Sequence, residues 1–208
     1  MKIGIIGAGM IGATAARLFA AAGHEVAVSN SRGPASLQSL VDDIGPRARA
    51  MDVDAAARFG DVVLLAVPWR KPEALPSPDA VKGRIVIDAM NPYAEGGGFE
   101  DLAGVTSSEH TKRRLPGARL VKAFNTIWFK HLAANGRTDL PLPKRQALFV
   151  SGDDDQAKRT VMTLIEDIGF AAVDLGPLVE GGRRQEPGSA LYNRPMTAEE
   201  AVEHAATS

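Results

Sequence analysis

Short apolar runs alternate along the chain with stretches in which apolar residues recur three or four positions apart. Lys2–Ile6 reads as a buried strand, and the alanine-rich Ala13–Ala22 as a helix that Gly23 ends. His24–Val28 forms a second strand, with His24 as a surface turn residue. Ala35–Ile44 carries Leu37, Leu40, Val41 and Ile44 at helical spacing; Ala48–Val53 is a short third strand, and Asp54–Phe59 a short helix stopped by Gly60. Asp61–Val67 is almost continuously apolar, as a strand buried on both faces of a parallel sheet must be. Pro68, Pro72, Pro76 and Pro78 keep the next stretch irregular, before a fifth strand at Arg84–Asp88 and a flexible segment at Glu95–Gly98. Thr106 and Glu109 have the spacing of a capping box for a helix to Leu115, and Arg119–Phe124 is a sixth strand. A further helix holds His131. Gln146–Ser151 and Ala171–Leu175 flank a helix from Asp154 to Ile168. Beyond Gly176 the pattern is irregular until Thr197 and Glu200, a second capping box, open a terminal helix.

Strand and helix in regular alternation imply an α/β fold built on a doubly wound, mostly parallel sheet of about eight strands, with right-handed crossovers. Residues 1–176 form the main domain, and residues 177–208 a short C-terminal extension packing on it or on a partner subunit. A chain of 208 residues has length enough for one well-buried core. The absence of cysteine excludes disulfides and a thiol nucleophile. A net charge of −1 gives no electrostatic reason to expect nucleic acid, and no apolar run is long enough to span a bilayer. The opening Met-Lys-Ile-Gly runs straight into a strand, leaving no room for a signal peptide, so the expected location is cytoplasmic.

The first strand–helix junction carries chemistry. Gly7, Gly9 and Gly12 stand in Gly-x-Gly-x-x-Gly spacing, with a strand before and a helix after, the context of a Rossmann dinucleotide-binding unit. Gly7 makes the tight turn, Gly9 lets a pyrophosphate approach, and Gly12 lets helix lie on strand. The segment Gly9-Met10-Ile11-Gly12 then presents backbone N–H groups to phosphate. About 20 residues on, an NAD site places an acidic residue on the ribose 2′-hydroxyl. Here Asn30, Ser31 and Arg32 stand instead, two small hydrogen-bonding residues and a guanidinium suited to a 2′-phosphate. The expected cofactor is NADP(H).

Ligands of such sheets bind outside the carboxyl ends of the strands. Gly7–Gly12, Asn30–Arg32, Ala66-Val67-Pro68-Trp69, Met90–Tyr93 and Phe124-Asn125-Thr126 should therefore share one crevice. Ala66, Val67, Pro68, Met90 and Asn91 are candidates for the nicotinamide end; Trp69, Asn125 and Thr126 are candidates for the substrate. Trp69 also reads as ordinary core and Asn91-Pro92 as a turn signal. No convincing proton donor emerges. His110 and His131 fall in helices, Tyr93 has Gly97 rather than lysine four residues on, and Lys122 lies within strand six. No catalytic side chain is therefore assigned. A hydride acceptor whose own ring holds the charge, a flavin or deazaflavin, removes the need for one.

Five motifs in order, Gly-Ala-Gly-Met-Ile-Gly at 7–12, Ser-Asn-Ser-Arg-Gly-Pro at 29–34, Ala-Val-Pro-Trp at 66–69, Asp-Ala-Met-Asn-Pro-Tyr at 88–93 and Val-Lys-Ala-Phe-Asn-Thr-Ile at 121–127, resemble the coenzyme F420-dependent NADP oxidoreductases and the related oxidoreductase domain of the STEAP metalloreductases. The resemblance implies hydride transfer between NADPH and F420 or a flavin, in a small protein that forms homodimers. By position it places Gly9–Gly12 on the pyrophosphate, Ser31 and Arg32 on the 2′-phosphate, and Val67, Met90 and Ala123 beside the nicotinamide. Ala35 and Ser36 occupy a region where the F420 enzymes often carry a lysine. Two alternatives stay open: an NADPH-dependent reductase of a small imine or carbonyl, and a non-catalytic NADPH-sensing module.

Overall fold

The computed structural model describes residues 1–207. The strands are β1 (Lys2–Ile6), β2 (Glu25–Ser29), β3 (Ala48–Ala50), β4 (Val62–Leu65), β5 (Ile85–Asp88), β6 (Arg119–Lys122), β7 (Ala147–Gly152) and β8 (Ala171–Asp174). The helices are α1 (Met10–Ala21), α2 (Gln38–Ile44), α3 (Val53–Phe59), α4 (Pro78–Val81), α5 (Ser107–Arg114), α6 (Phe129–Ala134), α7 (Asp155–Asp167), α8 (Leu178–Arg184) and α9 (Ala198–Thr207). Among the described residues the strands form one sheet in the order β3-β2-β1-β4-β5-β6-β7-β8. The first six run parallel; β7 lies antiparallel to β6 and β8 parallel to β7. This is the expected Rossmann-type α/β architecture. Strand order reverses between β1 and β4, where a doubly wound sheet opens a crevice at its carboxyl edge.

Burial on both faces explains the uninterrupted apolar strands. Ile3 and Ile5 face one cluster with Phe19 and Phe124, while Ile6, Val63 and Leu65 face another with Trp69 and Leu120. Phe19 is wholly buried, which stabilises the fold by about 1.5–3 kcal/mol relative to leaving the ring exposed. Helix α1 offers the sheet Gly12, Ala15, Ala16, Phe19 and Ala20, one apolar face at helical spacing. Small residues there let it lie close.

Four sequence expectations need correction. Helix α1 starts at Met10, inside the glycine motif, so Gly9 is its N-cap. The proline-rich stretch is not wholly irregular: Pro78 opens the short α4, because the first helical position tolerates a missing N–H. Asp54 reaches across from α3 to accept hydrogen bonds from the Ser77 N–H at 2.8 Å and its hydroxyl at 2.6 Å. The extension carries α8, hidden from sequence by Gly181-Gly182 at its centre, a poor helix pair. A Cβ on Gly181 would stand 2.3 Å from the Ser151 hydroxyl, so close packing on β7 demands the glycine.

His24 is the fourth correction. It is buried, packs edge-on against Phe19 at 6.0 Å, and joins two hydrogen bonds. The N-terminal ammonium of Met1 can only donate, so Nδ1 accepts at 3.1 Å and Nε2–H donates to Asp167 at 3.1 Å. Burial and the neighbouring ammonium push its pKa below the ordinary 6.5, against the opposing pull of Asp167. Both capping boxes formed as expected, Thr106 with Glu109 and Thr197 with Glu200.

Candidate functional site

One cleft of about 670 Å³ opens along the carboxyl edge of β1, β2, β4 and β5. At one end lies the start of α1. No side chain caps this helix and no acidic residue stands in its first turn, so its first N–H groups point unpaired toward the cleft with the positive end of the helix dipole. The three glycines do three different things. Gly7 turns at φ +107°, a conformation that disfavours any side chain. A Cβ on Gly12 would stand 1.8 Å from the Gly7 carbonyl oxygen, so helix and strand could not close. A Cβ on Gly9 would meet nothing within 4 Å. Packing within the protein therefore does not require a glycine there.

The next wall is the turn after β2. The Asn30 side-chain oxygen accepts from the Arg32 N–H at 2.9 Å, its amide donates to the Ser36 hydroxyl at 2.9 Å, and that hydroxyl donates to the Gly33 carbonyl at 2.7 Å. Ser36, where the resemblance suggested a lysine, thus fixes the turn. Asn30 is a positioning residue as much as a wall. Ser31 and Arg32 stand exposed at the cleft, and among the described residues no carboxylate pairs with the Arg32 guanidinium.

Ala66, Val67, Pro68, Trp69, Met90 and Asn91 border the other end, with Tyr93, Trp128 and Phe129. Trp69 meets both readings made of it. It is core, set edge-on to His110 at 6.1 Å with the Arg114 guanidinium 5.3 Å from its ring, and it borders the cleft. Tyr93 lies in a loop expected at the crevice; Trp128, Phe129, Arg70, Lys71 and Val53 were missed from sequence. Trp128 and Phe129 follow Asn125-Thr126 after one residue, Ile127, and two aromatics soon past a strand's carboxyl end were the available signal. Arg70 pairs with Glu95 at 2.5 Å, tying down the loop expected to be flexible, while Tyr93 and Phe99 pack at 5.5 Å across its small hairpin.

Gly12, Ala123, Asn125 and Thr126 do not border the cleft; all four are buried. Asn125 faces inward because the chain turns at Phe124, φ +65°, a strained conformation held by burial of its ring against Phe19. From there the Asn125 amide donates to Asn91 Oδ1 at 3.1 Å and to the Gln185 carbonyl at 2.7 Å, while Asn91 Nδ2 donates to the Asn125 carbonyl at 2.9 Å. Asn125 therefore supports the cleft wall from behind.

Beneath the Met90 loop lies a wholly buried ion pair. Lys122 Nζ stands 3.6 Å from Asp88 and donates to the Met90 carbonyl at 2.6 Å and the Ser107 hydroxyl at 3.1 Å. Asp88 accepts from the Met90 N–H at 3.0 Å and the Ser108 hydroxyl at 2.8 Å. Met90 is gripped at both ends of its peptide. Lys122 is thus more than packing. The extension joins this frame, as Glu186 accepts from the Ser107 N–H and hydroxyl, both at 2.8 Å. Among the described residues no group of three metal-ligating side chains gathers, and no helix is long and apolar enough to cross a membrane.

Residues 2–92 match the family described as NADP oxidoreductase, coenzyme F420-dependent. A hypothetical protein from Sinorhizobium meliloti is 38% identical, with a TM-score of 0.82 over 95% of both chains. A protein from Arthrobacter sp. FB24, described as a candidate F420-dependent NADP-reductase, is 26% identical, with a TM-score of 0.73 over 86% of both chains. Metalloreductase STEAP3 of Rattus norvegicus is 30% identical over 179 residues, which are 85% of this chain and 34% of that protein. The chain spans about a third of the metalloreductase's length.

Proposed function

The chain belongs to the coenzyme F420-dependent NADP oxidoreductase family, and from that premise we propose that it transfers a hydride between NADPH and a deazaflavin or flavin acceptor. The observation that carries the reading is Gly9, a glycine with open space at its Cβ position, at an uncapped helix start and on the same cleft as Arg32. Such a place fits a pyrophosphate, and Arg32 with Ser31 fits the ribose 2′-phosphate. Gly7–Ile11, Asn30–Arg32, Ala66–Pro68, Met90 and Asn91 would hold NADP(H), which supplies the hydride when bound.

The residues at the far end suit a flat ring more than a small polar substrate. Val67, Pro68, Trp69, Met90, Trp128 and Phe129 offer apolar and aromatic faces, and among the described residues no histidine or carboxylate borders the cleft. Their work is to orient two rings and exclude water. Lys122 and Asp88 hold the Met90 wall in register.

Following NADPH absorbance with F420, FMN, riboflavin and ferric chelates in turn tests the reading. Turnover with one of the ring acceptors is expected. Oxidation by small imines or ketones alone would favour the reductase alternative. Tight NADPH binding without turnover by any acceptor would favour a sensing module.

A further inference from the structure

The extension places a second tyrosine behind the cleft rim. Tyr192 shares a hydrogen bond with the Tyr93 hydroxyl, and Asn91 Nδ2 lies 3.4 Å from the Tyr192 oxygen. The direction of this chain as far as Tyr192 follows from which groups can only donate. Asn91 Nδ2 is fixed as nitrogen by its bond to the Asn125 carbonyl, which cannot donate, and Oδ1 is fixed by the Asn125 amide that donates to it. The Asn91 amide therefore donates to the Tyr192 oxygen. Either hydroxyl can donate in the bond the two tyrosines share; when Tyr192 donates to the Tyr93 oxygen, the Tyr93 hydrogen is left for whatever occupies the cleft. Tyr93 borders that cleft and is half exposed, whereas Tyr192 does not border it. Hydrogen bonds in series polarise one another, so the last hydroxyl is a stronger donor than a lone tyrosine.

Resting on the hydride-transfer reading above, we infer that Tyr93 donates its hydroxyl hydrogen to the ring oxygen or nitrogen of the acceptor on which charge collects as the hydride arrives, and that Tyr192 is the positioning residue behind it. The chemistry balances simply. A C–H bond of the reduced nicotinamide breaks and its hydrogen leaves with the electron pair, oxidising the nucleotide; a new C–H or N–H bond forms on the acceptor ring, which is reduced. The proton the acceptor then needs comes from the Tyr93 O–H, and Tyr192 donates to the phenolate oxygen until water, reaching the exposed Tyr93, returns the proton. Burial and the Tyr93 hydroxyl raise the pKa of Tyr192 well above the ordinary tyrosine value, so it keeps its hydrogen across the working pH range. A flavin or deazaflavin, with its run of ring carbonyl and ring nitrogen, is the class of acceptor this donor fits. A ferric chelate offers it nothing.

Tyr93→Phe retains the ring that packs on Phe99 and deletes only the hydroxyl. With riboflavin as acceptor, kcat should fall about 10²-fold, the size of a lost general acid. Riboflavin binding without nucleotide, followed by fluorescence quenching, should weaken about tenfold, and NADPH affinity should hold within about twofold. Tyr192→Phe should lower kcat about threefold to tenfold and leave riboflavin affinity near wild type, since the Tyr93 hydroxyl remains. Unchanged kcat and unchanged riboflavin binding in Tyr93→Phe would overturn the inference while leaving hydride transfer intact. No NADPH oxidation by the wild-type protein with any ring acceptor would overturn the underlying reading and this inference with it.

Discussion

At the end of the cleft formed by Gly7–Gly12 and Asn30–Arg32, polar contacts come from backbone and from side chains within six residues of one another. At the other end Asn91, Tyr93 and Asn125 meet Gln185 and Tyr192 across as many as 101 residues of chain. The first end is a local device: a glycine spacing, a helix start and one turn. The second is a tertiary device that exists only after the sheet, the β6 loop and the extension have assembled. This difference explains what sequence could reveal. Gly7, Gly9, Gly12 and Arg32 announce themselves because backbone geometry at a strand–turn–helix junction restricts which residues can stand there. Tyr192 carries no local signal, and Asn125 sits in the right loop while facing away from the cleft.

The same contrast holds for the fold. Apolar runs buried on both faces made the strands legible, though β4 and β6 stop at Leu65 and Lys122, short of the apolar runs they belong to. Helix α8 was not legible, because a Gly-Gly pair reads as a breaker when the hydroxyl it packs against, Ser151, is 30 residues away. His24 looked like a turn residue for a similar reason. Its partners Met1 and Asp167 are brought to it only by the folded sheet.

The largest expected effect lies beneath the tertiary end. Lys122→Met leaves Asp88 buried without its counter-charge and should cost about 3–5 kcal/mol of unfolding free energy in urea titration. Adding Asp88→Asn should recover part of that loss, because no lone charge then remains buried. Next come the glycines. Gly12→Ala drives a methyl into the Gly7 carbonyl and should destabilise by about 1–3 kcal/mol or more. Gly9→Ala, entering open space, should cost no more than the roughly 1 kcal/mol of a poorer N-cap, yet weaken NADPH binding about tenfold, or ~1.4 kcal/mol. Equal effects of the two alanines on stability would break the distinction drawn between them.

A smaller effect concerns His24. Its folded pKa lies below the unfolded one, so the unfolded chain binds the proton more readily; the contribution to stability is full above about pH 6.5 and declines as pH falls from there toward the folded pKa. His24→Gln should be less stable at pH 7.5 and should show a flatter loss between pH 7 and 5, read from thermal midpoints. A slope as steep as that of wild type would remove His24 as its cause.

At the centre of the proposed function is a pyridine nucleotide whose 2′-phosphate would rest at Ser31 and Arg32. Titrating NADPH and NADH in parallel into the wild-type protein and into Arg32→Glu addresses that directly. NADPH affinity should fall about 10- to 100-fold in the variant, the ~1.5–3 kcal/mol of one charge-assisted contact, with NADH nearly unaffected. Equal losses for both nucleotides, or no NADPH binding by the wild-type protein, would contradict it.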